Sequence, residues 1–291
     1  MKGQLPFLKS QRGGLFALPR LGVKRFRILS EADLATHVLL FLFVVAFVAG
    51  FVDAIAGGGG LIAIPALLMT GLPPLDVLGT SKLQALFGSG SATIAYARQG
   101  HVDLRKIFPM AVISFCGAVL GAMVATILPI DVLRAGLPVI LIAIAIYFAL
   151  KPDIGVVERH PRLSLFAFGM SIVPLIGFYD GLFGPGTGSF FMFAFVSLAG
   201  FGILKATAHT KVLNFASNLG GFVVFFVGGA VLWKVGLLMA LGQTIGAQLG
   251  SRLAMKNGSK IIRPMLVLSC IAMATKLILE ADFPIRVWLG F

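Results

Sequence analysis

The sequence predicts an all-α, polytopic integral membrane protein of about eight transmembrane helices, built from two homologous repeats. Composition is the first reason, because 58% of the residues are hydrophobic and only 12% are charged. A typical soluble domain carries roughly 25% charged residues. The second reason is a set of apolar runs longer than the ~18 residues that let a helix cross a bilayer. The third is an internal duplication with a glycine-rich break in each half. Together they exclude a soluble globular protein.

The apolar runs place the helices. In the first half we expect long helices at residues 36–55, 76–97, 107–128 and 132–150, and one short segment at residues 61–69. The second half repeats the order at residues 163–183, 189–198 (short), 205–227, 235–255 and 261–279. Nine helical residues rise about 14 Å, half of a ~30 Å hydrocarbon core. Each short segment is therefore predicted to be a half-helix or a re-entrant arm.

The polar segments divide the chain. Residues 1–34 carry seven Lys or Arg residues and predict a cytoplasmic tail under the positive-inside rule. A secretory signal is disfavoured because the apolar run that follows is too long. We expect a multi-pass protein of the inner cell membrane, whose net charge of +13 lies in its loops and does not bind nucleic acid. The predicted division is tail 1–34, repeat 35–150, connecting loop 151–162, repeat 163–280 and tail 281–291.

The duplication can be counted along the chain. Adding 129 to a residue number takes Lys82 to Lys211 and the pair Gly117-Ala118 to Gly246-Ala247. A glycine motif recurs with an offset of 127, from GFVDAIAGGGGL at residues 50–61 to GFYDGLFGPGTG at residues 177–188. Whether the repeats are parallel or inverted depends on whether the short arms cross the membrane. The sequence leaves both arrangements open.

Two lysines at equivalent repeat positions are the most informative polar residues. An ammonium group inside a spanning helix costs ~2.5 kcal/mol on insertion scales, so it normally faces a cavity or a partner. The alternative is that both lysines extend to the membrane interface. With neighbouring hydroxyls, amides and broken helices, they describe an anion site. The candidate substrate-binding residues are Lys82, Lys211, Ser81, Thr210, Asn214, Asn218, Gly58, Gly59, Gly186 and Thr187.

The acids in the glycine motifs have two interpretations. Asp53 and Asp180 either pair with the lysines or carry protons, since burial favours the neutral form of a carboxyl group. His209 is a candidate to share proton transfer. The glycine runs match neither a dinucleotide-binding fingerprint nor a P-loop, and no spacing indicates a metal or another cofactor.

The motifs together resemble the TauE/SafE family of sulfite and sulfonate exporters. The resemblance rests on residues 50–61 with Pro65, on Gly79-Thr80-Ser81-Lys82, on residues 177–188, and on His209-Thr210-Lys211 through Asn214. It covers about residues 38–280. The resemblance implies a polytopic inner-membrane transporter of about eight spans that moves sulfur-containing anions.

The leading hypothesis is a secondary transporter that exports a small sulfur-containing anion, with proton coupling left open. The alternatives are an anion channel and a membrane-embedded enzyme. Duplicated frames with broken helices favour alternating access over a channel. No nucleophile with a placed base supports an enzyme, so we expect none. The expected partners are the substrate anion and the lipid bilayer, and a homo-oligomer is left open.

Overall fold

The computed structural model describes residues 36–127, 158 and 160–279, and all regular structure in these ranges is helical. The first half contains helices α1 (Thr36–Ala56), α2 (Gly59–Leu68), α3 (Pro74–Arg98) and α4 (Leu104–Ala125). The second half contains helices α5 (Leu165–Leu182), α6 (Thr187–Ser197), α7 (Ile203–Val227), α8 (Trp233–Asn257) and α9 (Ser259–Leu279). Each helix lies within a few residues of its predicted position. The predicted span at 132–150, both tails and nearly all of the connecting loop lie outside the described residues.

Four of the described helices are long and apolar enough to cross a membrane: α1, α4, α5 and α7. Helices α2 and α6 are apolar but short, with 10 and 11 residues. Helix α8 is more polar overall, yet it exposes large apolar side chains at every fourth position, namely Leu237, Leu241, Ile245 and Leu249. Such a stripe is unfavourable in water and matches a helix face that contacts lipid.

Equivalent helices of the two halves run antiparallel. Helices α3 and α7 are related by the 129-residue offset, and they pack against each other through the centre of the molecule. Residue numbers rise along one helix as they fall along the other. The facing residues are Gly79 with Phe225, Lys82 with Gly221, and Gly90 with Phe215. An approximate two-fold axis therefore lies perpendicular to these helices.

The two halves also exchange helix contacts. The first helix of each half packs against the fourth helix of the other half, so α1 lies on α8 and α5 lies on α4. A Cβ atom on Gly50 would lie 2.2 Å from the Gln243 carbonyl oxygen, and one on Gly177 would lie 2.6 Å from that of Ser114. These two contacts are equivalent under the repeat offsets. Small residues thus let the helix backbones touch, as in many membrane bundles.

The short helices return to the end of the molecule from which their preceding helix starts. Val38 and Leu39 of α1, Leu72 after α2 and Val77 of α3 share one apolar cluster with Leu232 before α8. The α2 arm thus brings the chain back beside the start of α1. Helix α3 therefore starts at the end where α1 starts. Helix α7 starts at the other end, where Lys205 lies beside His101 of the α3–α4 turn.

Basic residues concentrate at the other end of the molecule. His101 of the α3–α4 turn, Glu158 before α5, Lys205 at the start of α7 and Ser259 of α9 line one open groove there. We call this the basic end. The Lys and Arg residues in or beside its described turns are Arg98, Arg105, Lys106, Arg162, Lys205, Lys256, Lys260 and Arg263.

Crowding at the exchanged helix contacts leads to a stability prediction. A Cβ atom on Gly121 would lie 1.9 Å from the Phe178 carbonyl oxygen, and one on Gly250 would lie 2.4 Å from that of Phe51. We expect Gly121→Ala and Gly250→Ala each to destabilise the protein by ~1–3 kcal/mol, as over-packing does. The measurement is the thermal unfolding midpoint of the purified protein in detergent.

Gly228→Ala is the matched control, because that glycine is exposed and its added Cβ would meet nothing closer than 3.4 Å. It should leave the midpoint unchanged. Wild-type midpoints for both Gly121→Ala and Gly250→Ala would show that the close helix approach does not exist.

Candidate functional site

Two helix breaks meet near the centre of the molecule. Between α1 and α2 the backbone takes positive φ values at Gly57 (72°) and Gly58 (124°), and between α5 and α6 it does so at Gly184 (89°) and Gly186 (82°). L side chains rarely adopt these conformations, which explains the glycines. The breaks touch, since a Cβ on Gly57 would lie 2.3 Å from the carbonyl carbon of Gly188.

The first charged pair joins the α1 break to helix α7. The Lys211 ammonium donates to the Asp53 carboxylate at 3.2 Å and also to the Asp53 backbone carbonyl. The lysine side chain is fully buried and the aspartate side chain is 9% exposed. A lysine from the second half therefore satisfies both the acid and a carbonyl at the end of a first-half helix.

The second charged pair is equivalent to the first under the repeat offsets. The Lys82 ammonium of α3 donates to the Asp180 carboxylate at 2.8 Å and to the Asp180 backbone carbonyl at the end of α5. Repeat offsets take Lys82 to Lys211 and Asp53 to Asp180, so the pairs cross between the halves. The sequence analysis proposed ion pairs without assigning partners. The structure joins each acid to the lysine of the other half.

The pairs lie at different depths. Each lysine is eight residues beyond the first residue of its helix, Pro74 for Lys82 and Ile203 for Lys211. Eight residues correspond to about 12 Å along a helix axis. Because α3 and α7 start at opposite ends, one pair lies nearer the basic end and the other nearer the opposite end.

Asp53 also caps the short helix α2. Its Oδ1 accepts hydrogen bonds from the backbone N–H groups of Gly58 (3.1 Å) and Gly59 (3.2 Å). A carboxylate is favourable at a helix N-terminus, where the helix dipole is positive. The glycine motif predicts that these two N–H groups bind a substrate. In this structure both groups donate to Asp53.

A small cavity of about 30 Å³ lies between the breaks, enough for one or two water molecules. It is closed towards bulky ligands in this conformation. Its charged and polar lining residues are Asp53, Ser81, Lys82, Asp180, Thr187, Asn214, Asn218 and Gln243.

Most of the predicted site residues meet at this cavity, and some do not. Gly58 also lines it, whereas Gly59 and Gly186 lie next to it along the breaks. Lys211 and Thr210 are fully buried outside the lining. His209 accompanies neither acid, because its ring packs against Phe195 and Phe201 and its Nδ1 lies 2.8 Å from the Lys205 carbonyl oxygen.

Gln243 was missed by the sequence analysis. It is 2% exposed, lines the cavity and packs against the α3 backbone at Gly88. Its signal was available, since a glutamine among small and apolar residues in a membrane helix is unusual. Among the described residues no group of three or more His, Cys, Asp or Glu side chains is arranged to hold a metal ion.

The chain is similar in sequence to several proteins that are named as probable membrane transporters. The chain is 65% identical over 258 residues to the "Probable membrane transporter protein ORF9" of Sinorhizobium sp, covering 89% of this chain and 99% of that protein. It is 46% identical over 248 residues to a "Probable membrane transporter protein" of Haemophilus influenzae, covering 85% and 97%. It is also 46% identical over 250 residues to the "Probable membrane transporter protein YfcA" of Escherichia coli K12, covering 86% and 93%.

No solved structure matches the chain. A family model described as "Sulfite exporter TauE/SafE" matches residues 42–277, which include both glycine motifs and both lysines. The protein therefore belongs to the sulfite exporter TauE/SafE family, whose curated relatives are named as membrane transporters.

Proposed function

We propose that this membrane transporter is a secondary transporter that exports small sulfur-containing anions of the sulfite or organosulfonate type. The observation that carries the proposal is the pair of crossed Lys–Asp contacts beside a cavity between two broken helices. The family description supports the anion class. Secondary transporters commonly place their sites at the interface of repeats, where discontinuous helices meet.

The cavity offers the donors that an oxyanion needs. The Lys82 ammonium supplies positive charge, and the Ser81 hydroxyl and the Asn214 amide supply neutral donors. The Thr187 hydroxyl and the Asn218 amide donate to Asp180 and Asn214 in this conformation and would have to turn from them to reach an anion. Lys211 does not line the cavity, and it acts by pairing with Asp53, which does. Binding would require the helices around the breaks to separate, because the present cavity is small. Opening at one end and then the other is the motion expected of alternating access.

We further propose that eight long helices span the membrane. These are α1, α3, α4, α5, α7, α8, α9 and the predicted helix at residues 132–150. The short arms α2 and α6 each return the chain to the side from which the preceding helix starts, so each half crosses the membrane an odd number of times. The two repeats, 35–150 and 163–280, then have inverted topology, joined by the loop at 151–162 and flanked by the tails at 1–34 and 281–291. The antiparallel packing of α3 and α7 supports this arrangement.

The orientation follows from charge. The tail at residues 1–34 alone predicts a cytoplasmic N-terminus, and it lies outside the described residues. The described turns favour the opposite orientation. The basic end lies away from Thr36, whereas near Thr36 the positive charge of Lys234 is accompanied by the negative charge of Asp76. Under the positive-inside rule we infer that the basic end faces the cytoplasm of the inner membrane.

The function is tested by anion binding. Sulfite, sulfate, thiosulfate, taurine and sulfoacetate should be screened for a rise in the unfolding temperature of the purified protein, since a ligand stabilises the state it binds. We expect stabilisation by at least one sulfur oxyanion, and a loss of ~2–5 kcal/mol of binding free energy in Lys82→Ala. Lys234→Ala, which removes an exposed lysine, is the control and should bind normally. If no anion in the panel stabilises the wild type, the proposed substrate class is wrong.

The crossed pairing predicts a pattern of rescue. Lys211→Met leaves the buried Asp53 charge without its partner, which is strongly destabilising. Adding Asp53→Asn should restore much of the folded yield in the membrane, whereas adding Asp180→Asn should lower it further. Lys82→Met should show the reverse preference, with Asp180→Asn as its rescuing partner. Rescue by the acid of the same half would contradict the crossed pairs.

The orientation is checked by cysteine accessibility. In a background lacking Cys116 and Cys270, Met69→Cys and Lys260→Cys place single thiols at exposed positions on opposite ends. In spheroplasts we expect a membrane-impermeant maleimide to label Met69→Cys at once, and Lys260→Cys after permeabilisation. A third variant, Arg12→Cys, reports the side of the N-terminal tail. The reverse labelling of the first two variants would overturn the inferred orientation.

A further inference from the structure

The two site acids are equivalent in the repeat but not in their contacts. Asp53 has partners for both carboxylate oxygens, since Oδ1 accepts from Gly58 and Gly59 and Oδ2 accepts from Lys211. Asp180 uses only one oxygen. Its Oδ1 accepts from Lys82 and from the Thr187 hydroxyl, both at 2.8 Å, while its Oδ2 is buried and receives no hydrogen bond from the described residues.

The sequence explains this difference. Under the 127-residue offset the cap donors of Asp53, Gly58 and Gly59, correspond to Pro185 and Gly186. Proline has no backbone N–H group, so the second break lacks the first of the two donors. Thr187 supplies a side-chain donor to the oxygen that Lys82 already uses. The remaining oxygen of Asp180 is left without a partner, and the residue lines the cavity at 1% exposure.

A buried carboxylate oxygen without a donor is costly, and a bound proton removes that cost. With the proton on Oδ2, Oδ1 still accepts from Lys82 and Thr187, so both hydrogen bonds remain. The charge attraction to the Lys82 ammonium is lost, and a bound anion would replace it. The new O–H group becomes a donor. Protonation of Asp53 would instead weaken contacts that both of its oxygens already make.

The charge balance of the site points the same way. The charged groups around Asp180 among the described residues are Lys82 of α3 and Asp53 of α1, and Lys211 of α7 pairs with Asp53. The neutral groups facing the cavity are Ser81, Thr187, Asn214, Asn218 and Gln243. Two lysines and two acids sum to zero. An anion entering this neutral, water-poor site meets two carboxylates, and one proton on Asp180 gives the site a charge of +1.

We propose that Asp180 carries one proton with each transported anion, while Asp53 stays ionised as the cap of α2. The inference rests on the proposed anion transport. A proton from water on one side joins Asp180 Oδ2 as the anion enters, and it leaves to water on the other side after the anion departs. No covalent bond other than this O–H bond forms or breaks.

The direct test is infrared spectroscopy of the protein in lipid, titrated from about pH 9 to about pH 5. The carbonyl band of a protonated carboxylic acid should appear in the wild type and in Asp53→Asn, and it should be absent from Asp180→Asn. Asp53→Asn keeps an oxygen that can accept from Gly58 and Gly59. If that variant does not fold, Asp180→Glu replaces it, because it keeps a titrating carboxyl group and should keep a band at a shifted position.

Sulfate is the anion probe, because it remains a dianion over this range. Adding it to the wild type should move the appearance of the band to higher pH by at least about one pH unit, since anion and proton then bind together. In proteoliposomes, Asp180→Asn should lose sulfate accumulation driven by a pH gradient. Lys234→Ala is the control and should keep that accumulation.

The outcomes separate the two proposals. A band that belongs to Asp53, or no carboxylic acid band in the wild type, overturns the assignment of Asp180 even if anions bind. If the band belongs to Asp180 but neither sulfate nor any other anion of the panel shifts it, Asp180 binds a proton that is not linked to anion binding. In that case the proposed anion transport fails together with the coupling.

Discussion

The rest of this structure depends on how two buried ammonium groups, those of Lys82 and Lys211, are neutralised within apolar helices. Each needs an opposite charge and further acceptors close by, because an unpaired charge in a membrane interior is costly. The chain meets this need at the helix breaks, where the end of α1 or α5 offers a carboxylate and a free carbonyl together. The glycines that break the helices, the short arms that follow and the antiparallel packing of α3 and α7 all bring a lysine to such an end.

Crossing the pairs between halves ties the repeats into one unit. Each acid pairs with the lysine of the other half, so the charged contacts add to the exchanged packing of α1 on α8 and of α5 on α4. Glycines at equivalent positions permit that packing, for example Gly246 against Phe47 and Gly117 against Pro174. The symmetry is broken locally by Pro185 and Thr187, and that local difference gives the two acids different hydrogen bonds.

Much of this could be predicted from the sequence. Hydropathy predicted the described helices within a few residues, and the duplication singled out both lysines, both acids and both breaks. The arrangement of the helices and the partners of the charged residues were harder to predict. Periodicity within a helix does not say which half supplies a partner, so the crossed pairs and the inverted relation needed contacts far apart in sequence, such as Lys82 with Asp180. Gln243 stands out among its neighbours, yet the sequence does not show that it faces the helix breaks. Nor does the sequence show that the N–H groups of Gly58 and Gly59 donate to Asp53, because that depends on how the chain turns at the break.

The depth difference between the two pairs has a consequence for leakage. A continuous aqueous path through the protein requires the Lys82–Asp180 and Lys211–Asp53 contacts to be broken at the same time, since they lie towards opposite ends. Both acids line the same small cavity, so the two contacts are neighbours and are coupled. We expect opening from one end to break only the contact nearer that end, which leaves the other contact between the cavity and the opposite side.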